Sequence, residues 1–214
     1  MFTRSPEVGK VKTRLSETLG TEVVLEIYKA FGRDVIETVK KHTDHIRISY
    51  YPMGTVGEVR EWLGEGFNYL PQKGKNLGDR MRNAFTGAFS DGFCRVVLLG
   101  ADMPDLPGSI IDEAFSKLSS HPSVIGPALD GGYYLIGFQQ EKFFPQAFDN
   151  IPWGTQHVLN KTLSIFKGAK QNIHILPSWQ DTDDYKDLLA LRKRIAEEKT
   201  IAHHSAGVLK AIPL

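Results

Sequence analysis

The sequence predicts a three-layer α/β domain with a mostly parallel sheet. Three observations carry this: helical and strand periodicities alternate along the chain, one central apolar run is strand-like throughout, and acidic or glycine-containing loops follow the strand-like runs. At 214 residues the chain is long enough for a substantial core in one such domain.

The chain opens on Phe2-Thr3-Arg4-Ser5-Pro6-Glu7-Val8-Gly9-Lys10-Val11-Lys12-Thr13-Arg14-Leu15, in which a turn-forming Pro and Gly precede cations two residues apart. Arg4, Lys10, Lys12 and Arg14 outweigh Glu7 by three charges, in a chain whose net charge is only +1, so positive charge is concentrated here. Ammonium and guanidinium groups suit phosphate oxygens, and Gly9 would let backbone N–H groups approach the same anion. A solvated surface loop accounts for the same charges, and the pattern alone does not decide between the two.

Val24, Tyr28, Phe31, Val35 and Val39 recur at steps of three and four, which predicts a long amphipathic helix with Thr21 as its N-cap. Ile46, Ile48 and Tyr50 alternate with Arg47 and Ser49 until Pro52, the pattern of a strand. A short helix over 57–63 and a short strand over 67–70 follow. Leu77, Met81, Phe85 and Phe89 mark another helix, ended by Asp91-Gly92. The run from Arg95 to Gly100 predicts a central strand buried on both faces, stopped by the prolines of Ala101-Asp102-Met103-Pro104-Asp105-Leu106-Pro107.

Ile110, Ile111, Ala114, Phe115 and Leu118 give a further helical face, and Val124 to Pro127 a strand. Asp130-Gly131-Gly132 turns the chain into the strand Tyr133 to Phe138. Val158, Leu159, Leu163 and Phe166 predict a helix after the Trp153-Gly154-Thr155 loop, and Ile173 to Leu176 a short strand. The acidic loop Asp181-Thr182-Asp183-Asp184 leads into a helix containing Leu188, Leu189 and Leu191. The folded domain is expected over 1–198, and 199–214 reads as a weakly patterned tail in which His203 and His204 are solvated.

Composition narrows the function. One cysteine, Cys94, excludes an internal disulfide framework and fits a reducing compartment; beside Val96-Val97-Leu98-Leu99 it reads as a small buried hydrophobe. No run reaches the roughly 18 apolar residues of a membrane span, and no signal peptide opens the chain, so a cytoplasmic location is expected. The near-neutral balance argues against a nucleic-acid partner. Walker A, G-x-G-x-x-G, G-x-S-x-G and H-E-x-x-H patterns are all missing.

In an open α/β sheet, ligands gather beyond the carboxyl ends of the strands, where Asp102 falls. A carboxylate there can hold a hard divalent cation, which takes one or two carboxylates together with substrate phosphates. Asp183 is the best second carboxylate, with Asp181 close behind; an Asx turn at Asp102 and an N-cap at Asp183 explain the same residues structurally. In Asp130-Gly131-Gly132-Tyr133 the glycines could admit a substrate, Asp130 accept sugar hydroxyls, and Tyr133 or Tyr134 stack, although a hairpin needs none of this. Trp153 is either a stacking platform or a partly buried core residue.

The ordered set formed by Pro6–Leu15, Leu77-Gly78-Asp79-Arg80, Gly100–Leu106, Gly126–Gly137, Ile151–Thr155 and Asp181-Thr182-Asp183 resembles the DUF2064 family. That family is provisionally assigned as glycosyltransferases near the nucleotide-diphospho-sugar transferases of GT-A fold. The resemblance implies a Rossmann-like α/β/α sandwich, a nucleotide diphosphate ligand and Mg2+ or Mn2+. It carries Lys12 and Arg14 over as phosphate contacts, with Lys10 after them; Arg4 and Gly9 join these as substrate-binding candidates on the charge and turn pattern of the loop. It places Asp102 and Asp183 at the metal, and Asp130, Gly131 and Gly132 towards the sugar or acceptor; Tyr133 and Trp153 stand as candidate substrate contacts by their stacking faces, and Asp130 as the candidate base of the reaction. Members of the family generally carry several more apolar residues ahead of this segment, whereas only Met1 and Phe2 precede Thr3-Arg4-Ser5-Pro6, so either the start is placed late or the first strand is unusually short.

Unlike the D-x-D of GT-A glycosyltransferases, the second Asp here lies three residues on, across a proline, which leans towards a single carboxylate at Asp102 and a structural Asp105. The implied reaction is glycosyl transfer from a nucleotide-diphospho-sugar. Nucleotidyl transfer from an NTP to a phosphorylated substrate, and nucleotide binding without turnover, are the alternatives.

Overall fold

A computed structural model describes residues 1–197 and 202–212, so the expected domain end at 198 lies outside the described residues. In chain order the elements begin with β1 (Phe2–Arg4), α1 (Thr13–Leu19), α2 (Thr21–Lys40), β2 (Arg47–Tyr51), α3 (Val56–Leu63) and β3 (Asn68–Pro71). Next come α4 (Leu77–Ser90), β4 (Arg95–Leu99), α5 (Gly108–Lys117), β5 (Ser123–Pro127), β6 (Tyr133–Gln139), α6 (Val158–Gly168) and β7 (His174–Ile175). The chain finishes with α7 (Tyr185–Glu197) and α8 (His203–Ala211). They fall into two compact units: Met1–Pro71 with Gly100–Gly108 and the chain from Gln180 onward, and Gln72–Leu99 with Ser109–Trp179.

The first unit carries a parallel sheet in the order β1-β2-β3, with Phe2 opposite Ser49 and Ile48 opposite Tyr69. Its core joins helices far apart in sequence: Leu15 of α1, Val24, Ile27 and Phe31 of α2, Leu188 and Leu191 of α7, and Leu209 of α8. The steps between the α2 residues are those its periodicity predicts. The cap differs from expectation, because Gly20 closes α1 and opens α2, leaving Thr21 as the first helical residue. Helix α1 itself was not expected; with Leu15 its only buried residue, its seven residues are too few to show a period.

Part of the segment read as a tail forms α8. Buried Asp34 of α2 accepts from the backbone N–H groups of His204 (2.9 Å) and Ser205 (2.8 Å), so a carboxylate from a distant helix caps the first turn of α8. His204 Nε2 lies 2.8 Å from Glu37 Oε1, which corrects its reading as simply solvated. A tertiary cap of this kind leaves no local signature in the sequence.

The second unit carries a mixed sheet in the order β4-β6-β5-β7, antiparallel at β4–β6 and β5–β6 and parallel at β5–β7. The predicted hairpin joins β5 to β6. Phe138 of β6 packs edge-on to Phe85 of α4 at 5.0 Å, with Phe143, Phe148 and Phe166 around it. Such pairs add about 0.5–1.5 kcal/mol each beyond area burial. β4 departs from expectation: Leu99 is buried, but Val96, Val97 and Leu98 are partly exposed and β4 is an end strand of this sheet. Apolar continuity marks a strand without saying what covers its faces. Cys94 is exposed, because it lies in the turn before β4 rather than within the strand, which corrects its reading as buried.

Candidate active site

In the first unit, β1 leads into a loop held by the buried side chains of Ser5 and Val11. Ser5 N–H donates to Tyr51 O (2.7 Å), and Lys10 N–H to Glu7 O (3.1 Å). Tyr28 of α2 fastens the end of the strand: its hydroxyl accepts from Arg4 N–H (3.0 Å) and donates to Arg4 O (3.0 Å). Burial, followed by the charge of Asp102, pushes the Tyr28 phenol up to about 12. It therefore stays protonated at neutral pH.

Lys12, the residue before α1, adopts the left-handed conformation (φ 45°, ψ 48°), which costs a non-glycine residue about 1–2 kcal/mol. Its side chain is only 6% exposed, and Nζ lies 2.7 Å from Asp102 Oδ1 and 2.6 Å from Asp183 Oδ1. Burial by itself would pull this ammonium down. The charges and hydrogen bonds of Asp102 and Asp183 outweigh burial and hold it above the ordinary lysine range.

Each partner is positioned through α7. Asp105, buried in the same loop as Asp102, accepts from Arg194 Nε at 2.6 Å, and Arg194 also donates to Gln180 Oε1 (2.9 Å). Asp105 is thus committed to the fold, as its spacing suggested. At the start of α7, Asp184 and Asp187 form a reciprocal cap: Asp187 N–H donates to Asp184 Oδ1 (3.0 Å), while Asp183 and Asp184 N–H donate to Asp187 Oδ2 (3.1 and 3.2 Å). The N-cap role open to Asp183 therefore falls to Asp184, and the Asp183 carboxylate is turned to Lys12. Leu15 shares a core with Leu188 and Leu191, so α1 and α7 hold the ends of this ion pair together.

The remaining candidates of the loop are distributed differently. Arg14 is exposed and pairs with Asp184 at 3.0 Å. Lys10 is exposed, Gly9 has φ 71°, and the Arg4 guanidinium stands 5.5 Å over the Tyr51 ring. Of the four cations read from the sequence, Lys12 and Arg14 are thus met by Asp102, Asp183 and Asp184, contributed from elsewhere in the chain.

The second unit gathers the other candidates. Asp130 Oδ1 accepts from Gly132 N–H at 2.7 Å, an Asx turn, and Gly131 O accepts from Leu159 N–H at 2.8 Å. Gly131 has φ 92°, and a Cβ there would stand 2.2 Å from Gln156 O, so the position requires glycine. Trp153 meets Tyr133 edge-on at 6.2 Å and packs on Gly78, where a Cβ would come within 3.0 Å of Trp153 Nε1. The Tyr133 phenol is pushed up by burial and lies 3.9 Å from Met81 Sδ. Tyr134 is core, donating to Pro177 O.

Sequence reasoning did not single out Asp184, Arg194 or Tyr28. The Asp184-Tyr185-Lys186-Asp187 spacing was a visible capping pattern; Arg194 and Tyr28 act through tertiary contacts that no spacing records.

The carboxylates also suit a divalent cation. Asp102 and Asp183 converge on one cationic atom, Lys12 Nζ, while remaining 42% and 38% exposed, and their oxygens are the donors that Mg2+ and Mn2+ prefer.

Comparison with known proteins bears on both fold and family. A protein from Desulfovibrio desulfuricans G20, provisionally assigned as a nucleotide-diphospho-sugar transferase, is 36% identical to this chain. Its crystal structure superposes with a TM-score of 0.93, covering 98% of this chain and 92% of that one. A cytidylyltransferase from Leptospira borgpetersenii serovar Hardjo-bovis shares 13% identity with a TM-score of 0.60, over 99% of this chain and 91% of its own. Rv0371c from Mycobacterium tuberculosis H37Rv, crystallised with manganese, shares 13% identity with a TM-score of 0.51, over 77% and 84%. These likenesses bear out the α/β fold expected of nucleotide-diphospho-sugar transferases and nucleotidyltransferases. No curated protein matches the chain.

The family model described as an uncharacterized protein conserved in bacteria, DUF2064, matches residues 35–155, more than half of the sequence and inclusive of Asp102, Asp130–Tyr133 and Trp153. With the full-length relative at 36% identity, this establishes that the chain belongs to the DUF2064 family.

Proposed function

We propose that the protein is a divalent-metal-dependent transferase acting on a nucleotide-diphospho-sugar. The observation that carries this reading is the meeting of Asp102 and Asp183, from separate loops, on one buried lysine that follows a β-strand. The provisional assignment of the 36% identical relative, and the manganese bound by a protein of like fold, support it.

In this reading Asp102 and Asp183 hold Mg2+ or Mn2+, and Lys12 and Arg14 bind the diphosphate. The ion, when bound, offsets charge on the diphosphate oxygens. Lys12 and Arg14 neutralise the negative charge that grows on the leaving nucleoside diphosphate as the bond from the sugar C1 to its oxygen breaks. The new bond forms from the acceptor to C1, and the acceptor proton passes to a base. Asp130, exposed at its turn, is the candidate for that base; the family resemblance puts Gly131 and Gly132 on the sugar or acceptor side, and Tyr133 and Trp153 are further candidate substrate contacts.

A second reading, nucleotidyl transfer from an NTP to a phosphorylated substrate, is favoured by one observation. Asp105, the next carboxylate after Asp102, is committed to Arg194, which leaves Asp102 as the carboxylate of this loop that meets Lys12, without the D-x-D of GT-A glycosyltransferases.

Product analysis separates the two. The protein is incubated with UDP-, GDP-, ADP-, CDP- and dTDP-sugars and acceptors, and in parallel with NTPs and sugar phosphates, with and without Mg2+ or Mn2+. Metal-dependent release of nucleoside diphosphate is expected; sustained pyrophosphate release alone would reject glycosyl transfer in favour of the second reading.

A further inference from the structure

The ammonium of Lys12 occupies the place between Asp102 and Asp183 that a metal ion would need. Nζ lies 2.7 and 2.6 Å from one oxygen of each carboxylate, and the lysine side chain is all but excluded from solvent. Its backbone cannot drift, because Val11 before it is buried and Leu15 after it lies in the core shared with α7. A divalent cation bound to the same oxygens would sit against a fixed positive charge. The charges also set a direction: two carboxylates with one ammonium carry a net single negative charge, whereas the pair alone carries two and balances a divalent ion.

What could draw the ammonium away is another anion. Lysine presents three donors on a flexible four-carbon stem, so it can exchange partners by rotation of the side chain alone. Lys10 and Arg14, two residues to either side, are both exposed and cationic, with Arg14 paired to Asp184.

We propose that Lys12 acts as an internal competitor for the carboxylate pair: it excludes divalent metal from the ligand-free protein and yields the pair when a phosphate-bearing ligand takes its ammonium. Metal then enters with the nucleotide rather than ahead of it. The inference rests on the assignment of Asp102 and Asp183 as the metal pair, and its test separates the two claims.

Binding of Mn2+ alone is measured by the loss of the free-ion electron paramagnetic resonance signal, with no nucleotide present. Wild type is compared with Lys12→Met, and with Lys12→Gln, whose amide still donates to a carboxylate, should the methionine variant not fold. A gain in Mn2+ affinity of about tenfold or more is expected on removing the ammonium, and it should vanish when Asp102→Ala is added. Equal affinity in wild type and the Lys12 variants would overturn the competitor role while leaving the metal pair standing. Absence of Mn2+ binding in the folded Lys12 variants, or a gain that survives Asp102→Ala, would overturn both claims.

Discussion

The Lys12 cluster and the Asp130–Gly132 turn both place a residue at positive φ beside an aspartate, yet they are held by different physics. At the turn the reason is shape: Gly131 has φ 92°, Gln156 O leaves no room for a Cβ, and Asp130 bonds only two residues along. At Lys12 the reason is charge. A lysine accepts φ 45° because its ammonium gains two carboxylate partners far away in sequence. An unfavourable backbone conformation kept by a residue that glycine would replace without strain points to a job for its side chain.

The largest expected effect tests the charged cluster. Asp102→Ala removes one proposed metal ligand and one Lys12 partner while leaving Asp183 on the lysine. Because Asp102 is 42% exposed, stability should fall by less than about 2 kcal/mol. Metal-dependent turnover should drop by about 10³-fold or more, with metal-dependent nucleotide binding lost. Undiminished nucleotide binding in Mg2+ would remove Asp102 from the site.

Gly131→Ala should show the reverse balance. A Cβ 2.2 Å from a backbone oxygen, on a residue at φ 92°, forces the turn to move, at about 2–4 kcal/mol. For a chain of 214 residues that lowers the midpoint of thermal unfolding by about 4–16 °C. Gly131 itself supplies no carboxylate to Lys12, so Mn2+ binding should fall less than in Asp102→Ala. An unchanged midpoint would show that the close approach to Gln156 is not maintained in solution.

The same contrast explains what could be read from the sequence. The hairpin, helix α2 and the strand leading to Asp102 follow from periodicity and turn chemistry, which act over a few residues. The ordered motifs also singled out Lys12, Asp102 and Asp183. That the lysine binds both carboxylates could not be read, because the pairing depends on α1 and α7 sharing the core around Leu15, Leu188 and Leu191. Nor could the choice between Asp183 and Asp184 as cap be made without noticing the three-residue interval to Asp187. Asp34 beneath α8 shows the limit most plainly, since its partners His204 and Ser205 lie 170 and 171 residues on.

Asp184→Asn provides the finest test, dividing cap from charge within one residue. The Asp184 carboxyl is held below the ordinary carboxylate range chiefly by Asp187 N–H, against the opposing effect of partial burial, with Arg14 contributing. Asparagine keeps an oxygen for Asp187 N–H but gives Arg14 no charge, and the Arg14 side chain is 66% exposed. The loss at neutral pH should therefore be below about 1 kcal/mol. Since the folded carboxyl is the stronger acid, its contribution is complete above the unfolded value and disappears as pH falls through the folded one. Denaturant midpoints of wild type and variant should thus differ slightly at pH 7 and converge below about pH 4. Added salt at pH 7 should narrow the gap as well, by screening the exposed pair. A difference that persists in acid would trace the effect to the cap instead, making Asp184, like Gly131, a residue kept for geometry.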